Sequence, residues 1–280
     1  MVKRSYLRHN LIYMQQICAL LHVLMVRLLP SLLTVMGVLV ASAGAQIRVV
    51  NFGSGNSSFD GWVNLNSANF PGYGGSFPGN SPWPGPIGSN ASGSADSELT
   101  RVSGSPTGGG PFLSSSSIYF GNFAQIQNAL GGTLRVADPT PLTDLKTLVF
   151  QIQIGEVLGF DFYNPSGSPS LKVNGGASAV NPLFSGVVDR FQSGTFTSPA
   201  TGLDEPVYVN TWGYQWDISS FGSVASFTID FIGVTHSQVY ALQLDQSSVL
   251  FPVALIPEPG TASLILMGAV LALVRRRSVS

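Results

Sequence analysis

The clearest β-strand signal in the chain is the heptapeptide Leu148-Val149-Phe150-Gln151-Ile152-Gln153-Ile154. Apolar residues alternate with glutamines in its second half, and successive side chains of a strand point to opposite faces of a sheet. The pattern predicts a strand over residues 146–154. One face, with Phe150, Ile152 and Ile154, should be buried, and the face with the glutamines should be wetter.

Short β-prone segments of this kind recur along most of the chain at spacings near ten residues. They are separated by Gly, Ser, Asn and Pro, which favour turns. The segments are residues 47–52, 61–65, 98–103, 117–121, 132–138, 146–154, 157–163, 170–173, 186–191, 207–215, 224–232 and 238–249. A βαβ protein would need amphipathic helices of roughly ten to fifteen residues between strands. The rhythm therefore predicts an all-β, antiparallel β-sandwich or jelly-roll-like ectodomain.

Residues 69–97 contain five prolines among glycines and serines and predict a long irregular loop. Its aromatic residues are Phe70, Tyr73, Phe77 and Trp83. They either fasten the loop to the core or form a platform for sugar rings, whose apolar faces stack on aromatic side chains. Beyond it, residues 104–111 predict a glycine-rich turn, and the apolar spacing after Phe123 allows one or two helical turns.

The N-terminal region has the composition of a secretory signal. Its positive, apolar and small-x-small cleavage parts are Arg27, residues 28–40 and Ala43-Gly44-Ala45. We expect residues 1–45 to form a leader with a signal helix that is removed before Gln46, after delivery to the Sec translocon. Because residues 1–24 exceed what a signal needs, Met25 is an alternative start. A permanent N-terminal membrane helix is the alternative to a cleaved signal.

Charge and cysteine usage exclude several classes of function. Residues 46–256 contain six Lys and Arg against thirteen Asp and Glu, a formal charge of −7. Nucleic-acid binding depends on clustered Lys and Arg, so no nucleic-acid partner is expected. The single cysteine, Cys18, lies in the leader. The exported part therefore has no disulfide, no cysteine nucleophile and no cysteine-based zinc site.

No catalytic residue and no cofactor is assigned from the sequence. His236 is the only histidine outside the leader, and no Gly-x-Ser-x-Gly motif accompanies it, so a serine-hydrolase triad is not expected. The acids, among them Asp217, Asp230 and Asp245 on late strands, are scattered, and no pair of them identifies a glycosidase. Oxygen ligands for a structural Ca²⁺ are abundant, but no Asp-x-Asp-x-Asp run defines a metal site, so that possibility stays open.

The C-terminal tail contains three different pieces in fixed order: Pro257-Glu258-Pro259, an uncharged run over residues 261–274, and Arg275-Arg276-Arg277. Each proline fixes φ and lacks an N–H, so the acidic motif stays extended. As a helix the uncharged run covers ~21 Å, a marginal span of a ~30 Å hydrocarbon core. The arginines should stop and orient this short transmembrane helix on the cytoplasmic side.

This order of motif, apolar run and arginine cluster resembles the PEP-CTERM sorting signal of Gram-negative bacteria that make exopolysaccharide. The resemblance implies that the tail is read by the membrane enzyme exosortase while its helix transiently anchors the chain in the inner membrane. Residues 214–220, 227–231 and 240–245 are also similar to the closing strands of PEP-CTERM β-sandwich ectodomains, which offer no established activity to transfer. An ordinary C-terminal membrane anchor is the alternative.

Four segments are expected: a leader at residues 1–45, an ectodomain at 46–249, a linker at 250–256 and the sorting signal at 257–280. With the resemblance, they indicate an exported cell-surface or extracellular-matrix protein, associated with exopolysaccharide or biofilm, with a structural or adhesive role. The alternative is a carbohydrate-binding module or polysaccharide-modifying enzyme with a jelly-roll fold. Its candidate sugar contacts are Trp62, Trp83, Trp212 and Trp216.

Overall fold

The computed structural model describes residues 47, 49–53, 55–124, 128–197 and 202–251. The chain divides into two compact units, Met1–Gln46 and Ile47–Ser280, and every described residue belongs to the second. The prediction of an all-β fold is confirmed: the described part contains β-strands, one 3₁₀ turn at Ser219–Phe221 and no α-helix. Among these residues there is no helix with the length and hydropathy needed to cross a bilayer. The expected signal helix and C-terminal helix lie outside them.

Twelve strands lie in the described ranges. They are β1 (Ser57–Trp62), β2 (Ile87–Gly88), β3 (Glu98–Ser103), β4 (Gly110–Leu113), β5 (Ile118–Gly121), β6 (Leu130–Asp138), β7 (Thr147–Gly155), β8 (Ser170–Val173), β9 (Phe184–Thr197), β10 (Asp204–Asp217), β11 (Phe227–Val234) and β12 (Gln238–Ser247).

The strands form two antiparallel sheets. The larger sheet has the order β4-β5-β12-β7-β10-β9. Two strands pair with the same side of β12: β5 pairs with its first two residues, and β1 pairs with its second half. The smaller sheet has the order β2-β3-β6-β11-β8. Consecutive strands are often not neighbours, so the topology is not a simple meander.

One hydrophobic cluster takes buried side chains from both sheets. Phe150 and Ile152 of β7 belong to it, together with Ile229 and Phe231 of β11. The rings of Phe150 and Phe231 lie 6.2 Å apart, which joins the two sheets directly. The predicted buried face of β7 is therefore confirmed.

The glutamine face of β7 is the wetter one, as predicted, but only at Gln153, which is half-buried, because Val149 and Gln151 on the same face are buried. Gln151 is 5% exposed and lies opposite Gln243 of β12, which is equally buried. On the same face Val149 packs in a second cluster with Phe52 and Val188. The segment with Phe52 covers part of this face.

Two expected strands are absent. Of residues 47–52, those described form no ladder, because the Val50 N–H donates to the Asp245 carboxylate and Phe52 packs on the sheet. Residues 157–163 contain a tight turn instead of a strand. There Leu158 and Gly159 have φ values of 52° and 81°, which a strand cannot accommodate.

Two further differences concern loops. The expected turn at 104–111 runs into β4, which pairs with β5 as a hairpin. Residues 69–97 are irregular as predicted, apart from the two-residue β2. The helical turns expected after Phe123 fall partly on residues 125–127, which lie outside the described ranges, and Leu130 already belongs to β6.

The two ends of the described domain meet where β7 begins. The rings of Phe52 and Phe251 lie 5.4 Å apart, and the Phe251 N–H donates to the Thr147 hydroxyl at 3.0 Å. We call this region, with Phe52, Thr147 and Phe251, the exit end, because the chain continues from it toward the C-terminal tail. We call the region around Gly155 at the opposite end of β7, with the turn that follows, the far end.

Candidate functional site

The sorting and processing residues predicted from the sequence lie outside the described residues. They are Ala43, Ala45, Pro257, Glu258, Pro259, Arg275, Arg276 and Arg277. Their roles stay predictions.

Two of the four candidate sugar-binding tryptophans are core residues. Trp62 and Trp216 are both 0% exposed. Their indole N–H groups donate to the carbonyls of Ile87 at 3.0 Å and Val180 at 3.1 Å. Stacking on a sugar needs an open ring face. We therefore withdraw Trp62 and Trp216 as carbohydrate contacts.

Trp83 and Trp212 are partly exposed but lie apart. The indole N–H of Trp83 donates to the Pro111 carbonyl in β4 at 3.1 Å, whereas Trp212 belongs to β10. Four strand spacings separate β4 from β10 in the larger sheet, or ~19 Å. The two indoles therefore do not form one stacking platform.

The aromatic residues of the long loop mostly fasten it to the core. Phe70, Tyr73 and Trp83 pack against the main hydrophobic cluster, and Tyr73 makes edge-to-face contacts with both of the others. Phe77 differs because it is 45% exposed and its ring lies 4.9 Å from that of Phe123. The arrangement supports the fastening interpretation for three of the four.

His236 is held by aromatic neighbours and not by a catalytic acid. Its Nδ1 hydrogen-bonds to the Tyr119 hydroxyl at 2.8 Å, and its ring stacks on Phe77. Burial lowers the pKa of His236. Within the described residues no carboxylate hydrogen-bonds to this imidazole, so the geometry is not that of a Ser-His-Asp triad.

Two fully buried carboxylates hold loops to the sheets. Asp60 of β1 accepts hydrogen bonds from the Ser89 hydroxyl at 2.8 Å and from the Ser97 hydroxyl and N–H at 2.8 and 3.2 Å. Asp138 accepts from the Thr140 N–H and from the Gln246 side-chain amide. Ser97 also hydrogen-bonds to Asp138, so the two carboxylates share one neutral donor. Burial nevertheless raises the pKa of Asp138.

A third buried carboxylate, Asp245, anchors the segment that enters the domain. It accepts from the Val50 N–H at 3.1 Å and from the Gln243 side-chain amide at 3.0 Å. Burial raises the pKa of Asp245 to about 7, against the opposing effect of these hydrogen bonds.

Polar side chains come together at the far end, and we call Glu156, Asp161, Arg190, Asn210 and Trp212 the far-end cluster. The Asn210 side-chain nitrogen lies 3.1 Å from Glu156 Oε2 and 2.9 Å from each Asp161 oxygen. The Trp212 indole N–H donates to Asp161 Oδ2 at 2.8 Å. Arg190 forms an ion pair with Glu156 at 3.1 Å.

The cluster combines one cation with two carboxylates. Burial raises the pKa of Asp161, and the Glu156 charge acts in the same direction, while hydrogen bonds from Asn210 and Trp212 oppose the shift. The Arg190 guanidinium also lies 3.9 Å from the centre of the Tyr208 ring. A glycosidase pair would need substrate between its carboxylates, but here the Asn210 amide occupies that position.

The sequence argument missed the far-end cluster. On β10 the residues Asn210, Trp212, Tyr214 and Trp216 alternate onto one face, and the last two are buried in or near the core. Inward positions of a strand are normally apolar, so the polar Asn210 in line with these aromatic residues could have indicated a polar site. The partner Asp161 was not foreseeable, since residues 157–163 were predicted as a strand and form a turn, and Glu156 lies just before that segment.

Unmet hydrogen-bonding capacity is confined to a few atoms. In the described part, the buried side-chain atoms with no hydrogen-bond partner are Asn210 Oδ1, Thr211 Oγ1 and Asp245 Oδ2. The same part contains no group of three or more His, Cys, Asp and Glu side chains placed to hold a metal ion.

Comparison of the chain with family models, curated proteins and solved structures gave no match.

Proposed function

We propose that this chain is an exported cell-surface or extracellular-matrix protein with a structural or adhesive role, sorted by exosortase through its C-terminal tail. The observation that carries the proposal is the order of Pro257-Glu258-Pro259, an uncharged run and three arginines. Its partners would be the Sec translocon, exosortase, the inner membrane and extracellular polysaccharide.

Two physical properties of the tail support the proposal: the conformation of its acidic motif and the depth of that motif relative to the membrane. The prolines cannot continue a helix, so the motif stays extended just outside the membrane. The arginines each cost roughly 2.5 to 3.5 kcal/mol at the bilayer centre and hold the opposite end in the cytoplasm. Together they present an extended acidic peptide at a fixed depth to a membrane-embedded protease, which supplies the catalytic residues.

The described domain suits such a role. We infer that its two antiparallel sheets pack as a β-sandwich of the jelly-roll kind, because one hydrophobic cluster draws on both. The sole cysteine lies in the leader, so folding outside the cytoplasm needs no disulfide. The far end points away from the point where the chain leaves for its anchor, which leaves it open to extracellular contacts.

A carbohydrate-binding module or polysaccharide-modifying enzyme with the same C-terminal sorting signal is the second candidate. The observation in its favour is the partly exposed Trp212 on β10, a strand that lies between β7 and β9 in the larger sheet. We rank it second because Trp62 and Trp216 are buried and Trp83 lies elsewhere.

Replacement of Pro257, Glu258 and Pro259 by alanine tests the proposal. We expect the variant to fold but to stay uncleaved in the inner membrane, whereas the wild-type protein is released to the surface. Pro252→Ala, which changes a proline upstream of the motif, is the matched control and should be processed normally. Immunoblots of fractionated cells give the readout. Normal release of the triple variant would show that the tail is only an anchor.

A further inference from the structure

We propose that strand β9 pairs edge to edge with β9 of a second copy of this chain, through the part of the strand that extends beyond the larger sheet. We call this part, residues 191–197, the pairing segment. The inference concerns an interaction surface of the domain and does not depend on how the tail is processed.

The pairing segment belongs to a two-stranded ribbon at the far end of the domain. Gly155, the last residue of β7, lies opposite Val209 of β10, so residues 204–208 of β10 form a ladder with β9 alone. On the β9 side of this ribbon, residues 192–197 are all exposed. A two-stranded ribbon is marginally stable in water, and further strands stabilise it.

The other outer strands of the two sheets are short, and loops bond to them. Leu113 of β4 donates its N–H to the Tyr73 carbonyl at 3.2 Å. Leu171 of β8 accepts from the Val180 N–H at 2.8 Å, and Gly61 of β1 accepts from two N–H groups of the long loop. Strand β2 has only two residues. Within the described ranges no loop backbone group bonds to the pairing segment, which therefore remains an open edge.

The rest of β9 has the protection that the pairing segment lacks. Beside the sheet, the Arg190 N–H donates to the carboxylate of Asp189 at 2.7 Å, and both side chains place charge on this edge. Charged residues are a common defence of edge strands against pairing with other chains. The pairing segment, Phe-Gln-Ser-Gly-Thr-Phe-Thr, contains no charge and no proline.

The two edges of the ribbon also differ from each other. Backbone groups of successive strand residues point to alternate sides, and the Tyr208 carbonyl accepts from the Glu156 N–H on the β7 side. Pro206, two residues before Tyr208, therefore also faces away from β9, where it has no N–H to offer. The acids Asp204 and Glu205 precede it. Proline and charge close the β10 edge and leave the β9 edge for pairing.

A second copy fits this edge because the pairing segment is compatible with itself. Thr195 lies opposite Pro206, so its backbone groups face away from β10, toward the open edge. A twofold axis at this position places Thr195 of one copy opposite Thr195 of the other, and no like charges meet. Thr–Thr pairs stabilise antiparallel sheets. Antiparallel pairing also puts the two domains at opposite ends of a shared four-stranded ribbon.

The size of the contact sets the expected strength. Seven residues per copy form an interface at or below the ~1,200 Å² that separates weak from standard complexes. We therefore expect a concentration-dependent dimer with a dissociation constant of about 10⁻⁵ to 10⁻³ M.

Sedimentation velocity of the full-length protein in detergent tests the pairing. Thr195→Lys puts two positive charges directly opposite each other and should weaken association by about tenfold or more. Thr195→Glu should do the same with negative charges. An equal mixture of the two variants brings opposite charges together and should associate at least as strongly as the wild type. Ser223→Lys, in the exposed loop before β11, is the matched control and should associate as the wild type does.

The mixture separates edge pairing from damage to the ribbon, because two variants that had lost their fold could not restore association together. Contacts made by the C-terminal tail in detergent are common to all variants and do not depend on residue 195. A wild-type protein that stays monomeric up to about 10⁻³ M, or a Thr195→Lys variant that associates equally well, would overturn the proposal. A mixture no stronger than either variant alone would mean that the edge pairs with a different segment and would overturn it too.

Discussion

The carboxylate of Asp60 is fully buried, whereas Glu156 and Asp161 of the far-end cluster are half-buried, and the two places are satisfied in different ways. Asp60 receives three hydrogen bonds from Ser89 and Ser97, and Ser97 also hydrogen-bonds to the buried carboxylate of Asp138. Glu156 and Asp161 share the amide of Asn210, whose own oxygen has no partner within the described residues. Removal of a fully buried carboxylate strands its donors, whereas at a half-buried carboxylate water can take over the lost hydrogen bonds.

The largest expected effect on stability comes from replacing Asp60, which fastens a loop. Asp60→Ala leaves the buried Ser97 N–H without its acceptor and opens a cavity, while the Ser89 and Ser97 hydroxyls keep the Ala95 carbonyl and Asp138. The free energy of unfolding should fall by about 2 to 4 kcal/mol. Chemical denaturation measures it. Asp96→Ala, at an exposed acid of the same loop, is the control and should change stability by less than about 0.5 kcal/mol. Equal losses from the two variants would refute the fastening role.

The second-largest expected effect on stability concerns Asp245, whose pKa is raised by burial to about 7. Between its ordinary value near 4 and this value, the unfolded chain has released the proton that the folded chain retains, so stability falls as pH rises through this window. Asp245→Asn keeps an acceptor oxygen for Val50 and Gln243 and removes the titration. From pH 5 to pH 8 the variant should gain about 1 to 3 kcal/mol relative to the wild type.

Comparison of the two proteins at both pH values isolates Asp245. Burial also raises the pKa of Asp138 and Asp161 and lowers that of His236, and these groups are common to both proteins. Parallel stability curves for the wild type and Asp245→Asn would mean that Asp245 is ionised in the folded protein throughout this range.

The smallest expected effect on stability concerns Asp161 of the far-end cluster. Asp161→Ala should cost only about 1 kcal/mol, because the Asn210 amide keeps Glu156 and the partly exposed Trp212 N–H can turn to water. Calorimetry of this variant and of Asp60→Ala under the same conditions gives the contrast. A loss as large as that of Asp60→Ala would make the far-end cluster another structural fastening.

The sequence predicted strands well where alternation was regular. Strand β7 was placed within one residue at each end, and β6 and β8 were also recognised, because apolar side chains there recur with period two. The same rule failed for residues 47–52. Their apolar residues pack flat on the larger sheet while Asp245 satisfies the Val50 N–H, a tertiary contact that local pattern does not contain.

The candidate site was less predictable than the fold. Exposure of a tryptophan depends on which sheet covers it, so Trp62 and Trp216 could not be separated from Trp83 and Trp212 by composition. The far-end cluster joins residues about fifty positions apart through a turn and a strand. Such a cluster is visible only when the register of β7 and β10 is known.

The most direct test of the central claim is the intact mass of the protein recovered from the cell surface of its native host. The sorting proposal predicts a chain that begins at Gln46 and ends before the apolar run at residues 261–274. A surface-exposed protein whose mass still includes that run and the arginines after it, or the leader before Ala45, would contradict it.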